Sequence, residues 1–202
     1  MAFVDWFVRR FETDKEVWVF CGTGNNGGDG LAIARILYTK QYNVKAFVVN
    51  PHKKRSEDFE ENYQRFIPLF KIASIKELSD IHMVPDHVVA IDGLFGSGLD
   101  RPVEGCYADV IKAINRSNCL TIAVDIPSGL FADQVSIGEA IIKADYTVAF
   151  QVPKLAFVIK DSAVFVGEWI VVDIGLHKSF VVGCETAYFV VTKDSMQSLI
   201  AP

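Results

Sequence analysis

Three short segments of this chain carry residues whose types and spacing suit ligand chemistry. The first is CGTGNNGGDG, Cys21 to Gly30, where Gly22, Gly24 and Gly27 fit G-x-G-x-x-G between an apolar run and a helical pattern. Such a turn lets backbone amides approach a phosphate, or another close ligand, at a helix N-terminus. The pattern alone is weak, because Gly-rich turns are common in α/β chains. Asn25, Asn26 and Asp29 add side-chain chemistry to it. A carboxylate repels a pyrophosphate, so Asp29 suits hydroxyl groups or loop bracing, and it serves equally well as a helix cap.

The second segment is DGLFGSGLDRP, Asp92 to Pro102. Asp92 ends an apolar run, where an acid is either a ligand group or a turn former. Gly93, Gly96 and Gly98 allow amides to approach an anion, and Arg101 suits a phosphate or a surface ion pair. The third is DIPSG, Asp125 to Gly129, again an acid at the end of an apolar run, now followed by a rigid proline and Ser128. Asn26, Asp92 and Ser128 together offer hard oxygen donors, which favour an alkali or alkaline-earth cation over zinc. The alternative is two ordinary turns at strand ends.

Other chemistries find less support. No lysine follows the glycines, so the first loop is not a Walker P-loop. The second strand ends at Asn50, before Pro51 and His52, where a dinucleotide-binding dehydrogenase expects an acid for the ribose. His52, His82, His87 and His177 are scattered without metal spacing. Ser128 lies outside any G-x-S-x-G elbow. Lys154, in FQVPK, can reach a pocket from a strand end but reads slightly better as an exposed lysine. Lys53, Lys54 and Arg55 read as a solvated approach to a helix, with a 2′-phosphate as their other use.

The elements that must position these loops follow from periodicity. Phe3, Val4, Phe7, Val8 and Phe11 have helical spacing. VWVF (17–20), the Gly-rich loop, LAIARILYTK and VKAFVVN (44–50) form one β-loop-α-β unit, the length a right-handed crossover needs. Residues 56–70 read as an amphipathic helix capped by Ser56, with Pro68 kinking or ending it. DHVVAID (86–92), a helix marked by Tyr107, Val110, Ile111 and Ile114, and CLTIAVDI (119–126) follow. ADYTVAF, LAFVIK, WIVVDIGL and AYFVVT read as further strands, the last ones closing one edge in mixed fashion. Alternating strands and helices predict one α/β domain with a mainly parallel sheet, and ligands in such sheets sit beyond the carboxyl ends of the strands.

Composition bounds the possibilities. The 202 residues are 50% hydrophobic and 22% charged, with a net charge of −5. That excludes global disorder and disfavours a general grip on nucleic acid. Mean hydropathy is +0.25, yet the longest apolar runs, such as Val17 to Cys21, have only strand length, too short to span a membrane as a helix. MAFVDWFVRRFE does not read as a signal peptide, since its basic residues follow the apolar run. Cys21, Cys106, Cys119 and Cys184 form no C-x-x-C pair and read as reduced thiols of a cytoplasmic protein.

GTGNNGGDG, IDGLFGSGLDRP, VDIPSGL, ADYTVAF with PK, and GEWIVVDIGL occur in this order. Together they resemble the YjeF N-terminal domain family, the NAD(P)H-hydrate epimerases, over about Val17 to Leu176. The resemblance implies a Rossmann-like three-layer α/β/α sandwich that often forms homodimers. It implies an isomerase of metabolite repair, interconverting the R and S forms of NADHX and NADPHX, which are nicotinamide cofactors hydrated at C6. It places Asn25, Asn26, Gly27, Gly28 and Asp29, then Gly96, Ser97, Gly98, Leu99, Asp100, Arg101 and Pro102, and Asp125 at the hydrate. It implies one potassium ion (K+) per subunit, held by Asn26, Asp92 and Ser128, and makes Asp125 the expected acid–base residue. Family members carry a longer N-terminal helical segment than MAFVDWFVRRF. After PSGL they often read D-A-D-T-G, where this chain has Phe131 to Val135. The expected organisation is a single epimerase domain over 1–202 lacking that segment. Residues 186–202 would lead into an absent C-terminal ADP- or ATP-dependent dehydratase domain. The alternative is a non-catalytic nucleotide-binding or dimerisation module of the same fold.

Overall fold

The computed structural model describes residues 1–50, 52–81 and 83–191. Its frame is a seven-stranded sheet in the order β3-β2-β1-β4-β5-β6-β7. The strands are β1 Glu16–Cys21, β2 Asn43–Val49, β3 Ala73–Ile75, β4 Val89–Gly93, β5 Leu120–Val124, β6 Tyr146–Phe150 and β7 Glu168–Val172. Every neighbouring pair is parallel, so the mixed edge expected from the sequence does not form. The helices are α1 Ala2–Phe7, α2 Asn25–Thr39, α3 Glu57–Phe66, α4 Cys106–Arg116, α5 Lys160–Ala163 and α6 Lys178–Gly183. None of the described helices is long and apolar enough to cross a membrane.

Strand side chains alternate between the two faces of the sheet, and the packing follows. Val17, Val19 and Cys21 of β1 join Val44, Ala46 and Val48 of β2 under α1, α2 and α3. Phe20, Ala90 and Ile75 turn to the other face, under Val110, Ile111 and Ile114 of α4. The result is three layers around a sheet buried on both sides, the expected arrangement for parallel strands. Phe3, Val4, Trp6 and Phe7 of α1 are buried in the first of these layers. Ser56 caps α3 as expected, its hydroxyl accepting from the amide of Phe59 at 3.1 Å, and the helix closes at Phe66, before Pro68.

Two apolar runs expected to be strands are not. Leu155–Phe157 is a single 3-10 turn. Its amide at Ala156 donates to Ala132 at 2.9 Å, and Ala156 and Phe157 fill a small core beside Trp169. Apolar character there reflects burial, not a ladder. Ala187 to Val191 has no regular structure and is exposed; a strand needs a neighbour to pair with, and the sheet ends at β7. The end of the segment expected to lead into a further domain, 192–202, lies outside the described residues.

Candidate functional site

The strand order steps outward from β1 in both directions, through β2 on one side and β4 on the other. That reversal opens a crevice at the carboxyl ends of β1 and β4, the usual ligand position in such sheets. All three ligand-type segments of the sequence meet there.

The Gly-rich turn builds one wall. A Cβ at Gly27 would stand 2.0 Å from the carbonyl oxygen of Gly22, and one at Gly22 would stand 2.0 Å from the carbonyl oxygen of Leu94. These glycines let the first turn of α2 press against the turn after β1, and that turn against the loop after β4. Gly24, the residue before α2, has nothing within 4 Å of its would-be Cβ. The crevice wall is pinned from the side by Ser56, whose amide donates to Thr23 at 2.9 Å. Tyr107 of α4 stands beside Thr23 and lays its ring 4.7 Å from that of Phe95.

Asn26, Asp92 and Ser128 converge on Phe95. Asn26 Nδ2 donates to the Phe95 carbonyl at 2.9 Å. The Phe95 amide donates to Ser128 Oγ at 2.9 Å, and Ser128 Oγ donates to Asp92 Oδ1 at 2.6 Å. The Ser128 amide donates to Asp92 Oδ2 at 2.8 Å, and the Leu94 amide to Oδ1 at 3.2 Å. Asp92 is fully buried, and burial pushes its carboxyl up to about 6, against the pull of the Ser128 hydroxyl and amide and the Leu94 amide. Among the described residues, no cationic side chain pairs with it. A buried carboxylate with only neutral donors is stabilised by a cation. Asn26 Oδ1, the Asp92 carboxylate, Ser128 Oγ and the Phe95 carbonyl form an oxygen-only donor set that fits a hard cation.

Asp125 stands one strand further along, immediately after β5, in the left-handed region with φ 69°. It is 8% exposed. Its Oδ1 accepts from the Phe150 amide at 3.0 Å and from Lys154 Nζ. Lys154 is therefore not the exposed lysine expected from sequence: its side chain is only 9% exposed. The sequence alone did not signal it, because only the adjacency of β5 and β6 brings a lysine after one strand beside an acid after the other.

Asp29 is not a helix cap. Gly24 holds that position, and Asp29 lies in the second turn of α2. Its side chain opens to solvent, but the surrounding walls desolvate it. That desolvation, then the charges of Asp125 and Asp58, push its carboxyl up to about 6.

Of the remaining expected residues, Gly27 and Gly28 are buried and Asn25 is exposed. Gly96 lies against Asn26, whose side-chain atoms stand 3.3 Å from a Cβ built there. Leu99 is half-buried; Ser97, Gly98, Asp100, Arg101 and Pro102 form an exposed rim. Two surface concavities, one lined by Tyr63, Pro68 and Ile72 and the other by Pro102, Asp109 and Glu139, do not contain the Asp92 and Asp125 groups. The Asp92 and Asp125 groups lie at the carboxyl ends of the strands instead.

Comparison with known proteins adds to this geometry. The family described as YjeF-related protein N-terminus matches residues 1–156. The chain is 35% identical over 173 residues to the NAD(P)H-hydrate epimerase of Limosilactobacillus fermentum, covering 86% of this chain and 81% of that protein. It is 40% identical over 154 residues to the bifunctional NAD(P)H-hydrate repair enzyme Nnr of Thermofilum pendens, covering 74% of this chain and 29% of that one. It thus spans less than a third of this bifunctional relative. The crystal structure of yeast ynu0 superposes with a TM-score of 0.65 at 22% identity, over 96% of this chain and 84% of the yeast chain, and shares the fold.

Proposed function

This chain belongs to the YjeF-related N-terminal family, and from that premise we propose that it interconverts the R and S epimers of hydrated nicotinamide cofactors, NADHX and NADPHX. The observation that supports this reading most directly is the meeting of Asp125 with the Asn26–Phe95–Asp92–Ser128 group at the carboxyl edge of neighbouring strands. The relatives at 35% and 40% identity carry hydrate epimerase and hydrate repair names.

Epimerisation at C6 needs the stereocentre to become trigonal and then reform. The C6 hydroxyl sits on the carbon bonded to ring nitrogen N1. Asp125 enters as a carboxylate and takes the hydroxyl proton. The O–H electron pair forms the C6 carbonyl as the C6–N1 bond breaks, and its pair moves to N1. Asp125 returns the proton to N1. Rotation presents the other face of the aldehyde, and the same steps in reverse close the ring. Atoms and electrons balance, with no oxidant. Oδ1 of Asp125 is occupied by the Phe150 amide and Lys154, which leaves Oδ2 for this work.

Asn26, Asp92 and Ser128 would hold a potassium ion, with the Phe95 carbonyl beside them. Bound there, the ion would tie the loops after β1, β4 and β5 and offset negative charge near the dinucleotide diphosphate. The first turn of α2 and the rim from Gly96 to Pro102 would bind the substrate. The S epimer would pass to a dehydratase, fused as in the bifunctional relative or separate.

The test follows recovery of R-NADHX to NADH by an added S-specific dehydratase. Acceleration over the spontaneous rate by the wild-type chain, and its loss in Asp125→Asn with nucleotide binding retained, is the expected result. Near-normal turnover in that variant removes Asp125 from the chemistry. No acceleration by the wild type despite nucleotide binding favours a binding module of the same fold.

A further inference from the structure

Lys154 is held in an unusual way. An ammonium has three N–H donors, and this one spends them on Asp125 Oδ1, the Phe150 carbonyl at 3.2 Å and the Val152 carbonyl at 3.2 Å. None is left for a substrate phosphate. The backbone is arranged to bring the pair together. Asp125 and Gln151, the residues directly after β5 and β6, both take left-handed conformations, with φ 69° and 63°. Neither is glycine, so both conformations are strained and must be imposed by their surroundings. The Asp125 amide is pinned to the Val148 carbonyl at 2.9 Å, and the Gln151 amide to the Val172 carbonyl at 2.9 Å. Gln151 Oε1 accepts from the Ile174 amide at 3.1 Å. The Val152 amide closes a tight turn onto Phe150 at 2.7 Å. The chain beyond β6 is thus fastened to β7 while it turns the lysine back toward Asp125.

We propose that Lys154 is a positioning residue for the epimerisation: together with the Phe150 amide it engages Oδ1 of Asp125, so that Oδ2 alone is presented to the hydroxyl of the substrate. This inference rests on the reading of Asp125 as the proton-transfer group. Lys154 acts through Asp125 and does not itself touch the substrate. A buried lysine that lost its carboxylate would be costly, so the pair also locks the turn after β6 to the loop after β5. Lys154, from the turn after β6, pairs with Asp125, and Asp29, from α2, lies within electrostatic reach of it. Without Lys154 only the Phe150 amide at 3.0 Å is left on Oδ1, and the carboxylate loses the partner that fixes which oxygen faces the crevice.

The test compares Lys154→Gln and Lys154→Arg with wild type in the coupled R-NADHX assay, with kcat and KM determined separately. For Lys154→Gln, kcat is expected to fall roughly 100-fold, the order associated with misplacing a reacting group by about an ångström. KM should change little. Lys154→Arg keeps the charge but shifts the donors, so its kcat should lie in between, again at a KM close to wild type. A Gln variant with wild-type kcat overturns the proposal. So does a fall in kcat accompanied by a comparable change in KM and no recovery by arginine, which is what a merely structural lysine gives. If the Gln variant fails to fold, the Arg variant decides: reduced kcat at unchanged KM supports the positioning role, and wild-type kcat refutes it. Asp125→Asn is run beside them. If that variant stays active, the reading of Asp125 fails; if it is inactive while the lysine variants behave as wild type, only the present proposal fails.

Discussion

The G-x-G-x-x-G pattern treats its glycines alike, but the structure separates them sharply. An alanine methyl at Gly27 would lie 2.0 Å from the Gly22 carbonyl oxygen and 2.6 Å from its carbon. Both atoms are backbone, in a turn already pressed against Leu94. Relief to an ordinary contact of about 3.5 Å requires the start of α2 to move out by roughly an ångström or more. Overpacking of this kind costs about 1–3 kcal/mol, and the upper end is expected because no flexible side chain can yield. For a chain of this size about 3 kcal/mol corresponds to a fall in Tm of roughly 6–12 °C. The same displacement carries Asn26 off the Phe95 carbonyl, so activity should drop about 100-fold even in the folded fraction. Gly24→Ala is the internal control. Its would-be methyl meets nothing within 4 Å, and its φ of −90° and ψ of −169° suit any residue. Its stability should change by less than about 1 kcal/mol. Urea unfolding with the coupled epimerase assay reads both quantities. A Gly27→Ala protein as stable and active as Gly24→Ala would refute the packing role assigned to Gly27.

Ser128→Ala removes the hydroxyl that bridges Asp92 and Phe95, leaving a buried carboxylate short of a donor. A loss of about 1–3 kcal/mol is expected in denaturant unfolding, together with a further rise of the Asp92 carboxyl; unchanged stability would contradict the bridging role. Potassium should raise Tm near neutral pH and lose that effect as pH falls through about 6, where Asp92 takes up its proton. The sign is fixed by linkage. The folded carboxyl lies above its unfolded value of 3.8, so without a cation stability falls as pH rises from about 4 to about 6. Thermal scans in potassium and in a bulky organic cation, at about pH 5 and about pH 7.5, check this, and an equal potassium effect at both would count against Asp92 as a ligand.

Much of the layout was legible in one dimension. Parallel strands buried on both faces produce short, wholly apolar runs, and the turns after them need glycine, proline or an acid. VWVF, VVAI and LTIAV therefore announced β1, β4 and β5, and their loops announced Asn26, Asp92, Asp125 and Ser128. Ser56 was readable as a cap because capping is local. LAFVIK misled because a five-residue apolar run has the same composition whether it joins a ladder or plugs a core, and only the Ala132 carbonyl waiting for the Ala156 amide decides between them.

Pairing was not legible. Asn26 and Phe95 are 69 residues apart, Asp92 and Ser128 are 36 apart, and Asp125 and Lys154 are 29 apart. Each pair meets because the sheet sets β1 beside β4, β4 beside β5 and β5 beside β6. Periodicity reports which side of a strand is buried but carries no information on which strand lies next to it; that is decided by packing over the whole domain. Residue type placed the three acids Asp29, Asp92 and Asp125 in the same crevice. Tertiary structure divided their work, one enclosed among neutral donors, one against a lysine, and one on a helix surface beside a like charge.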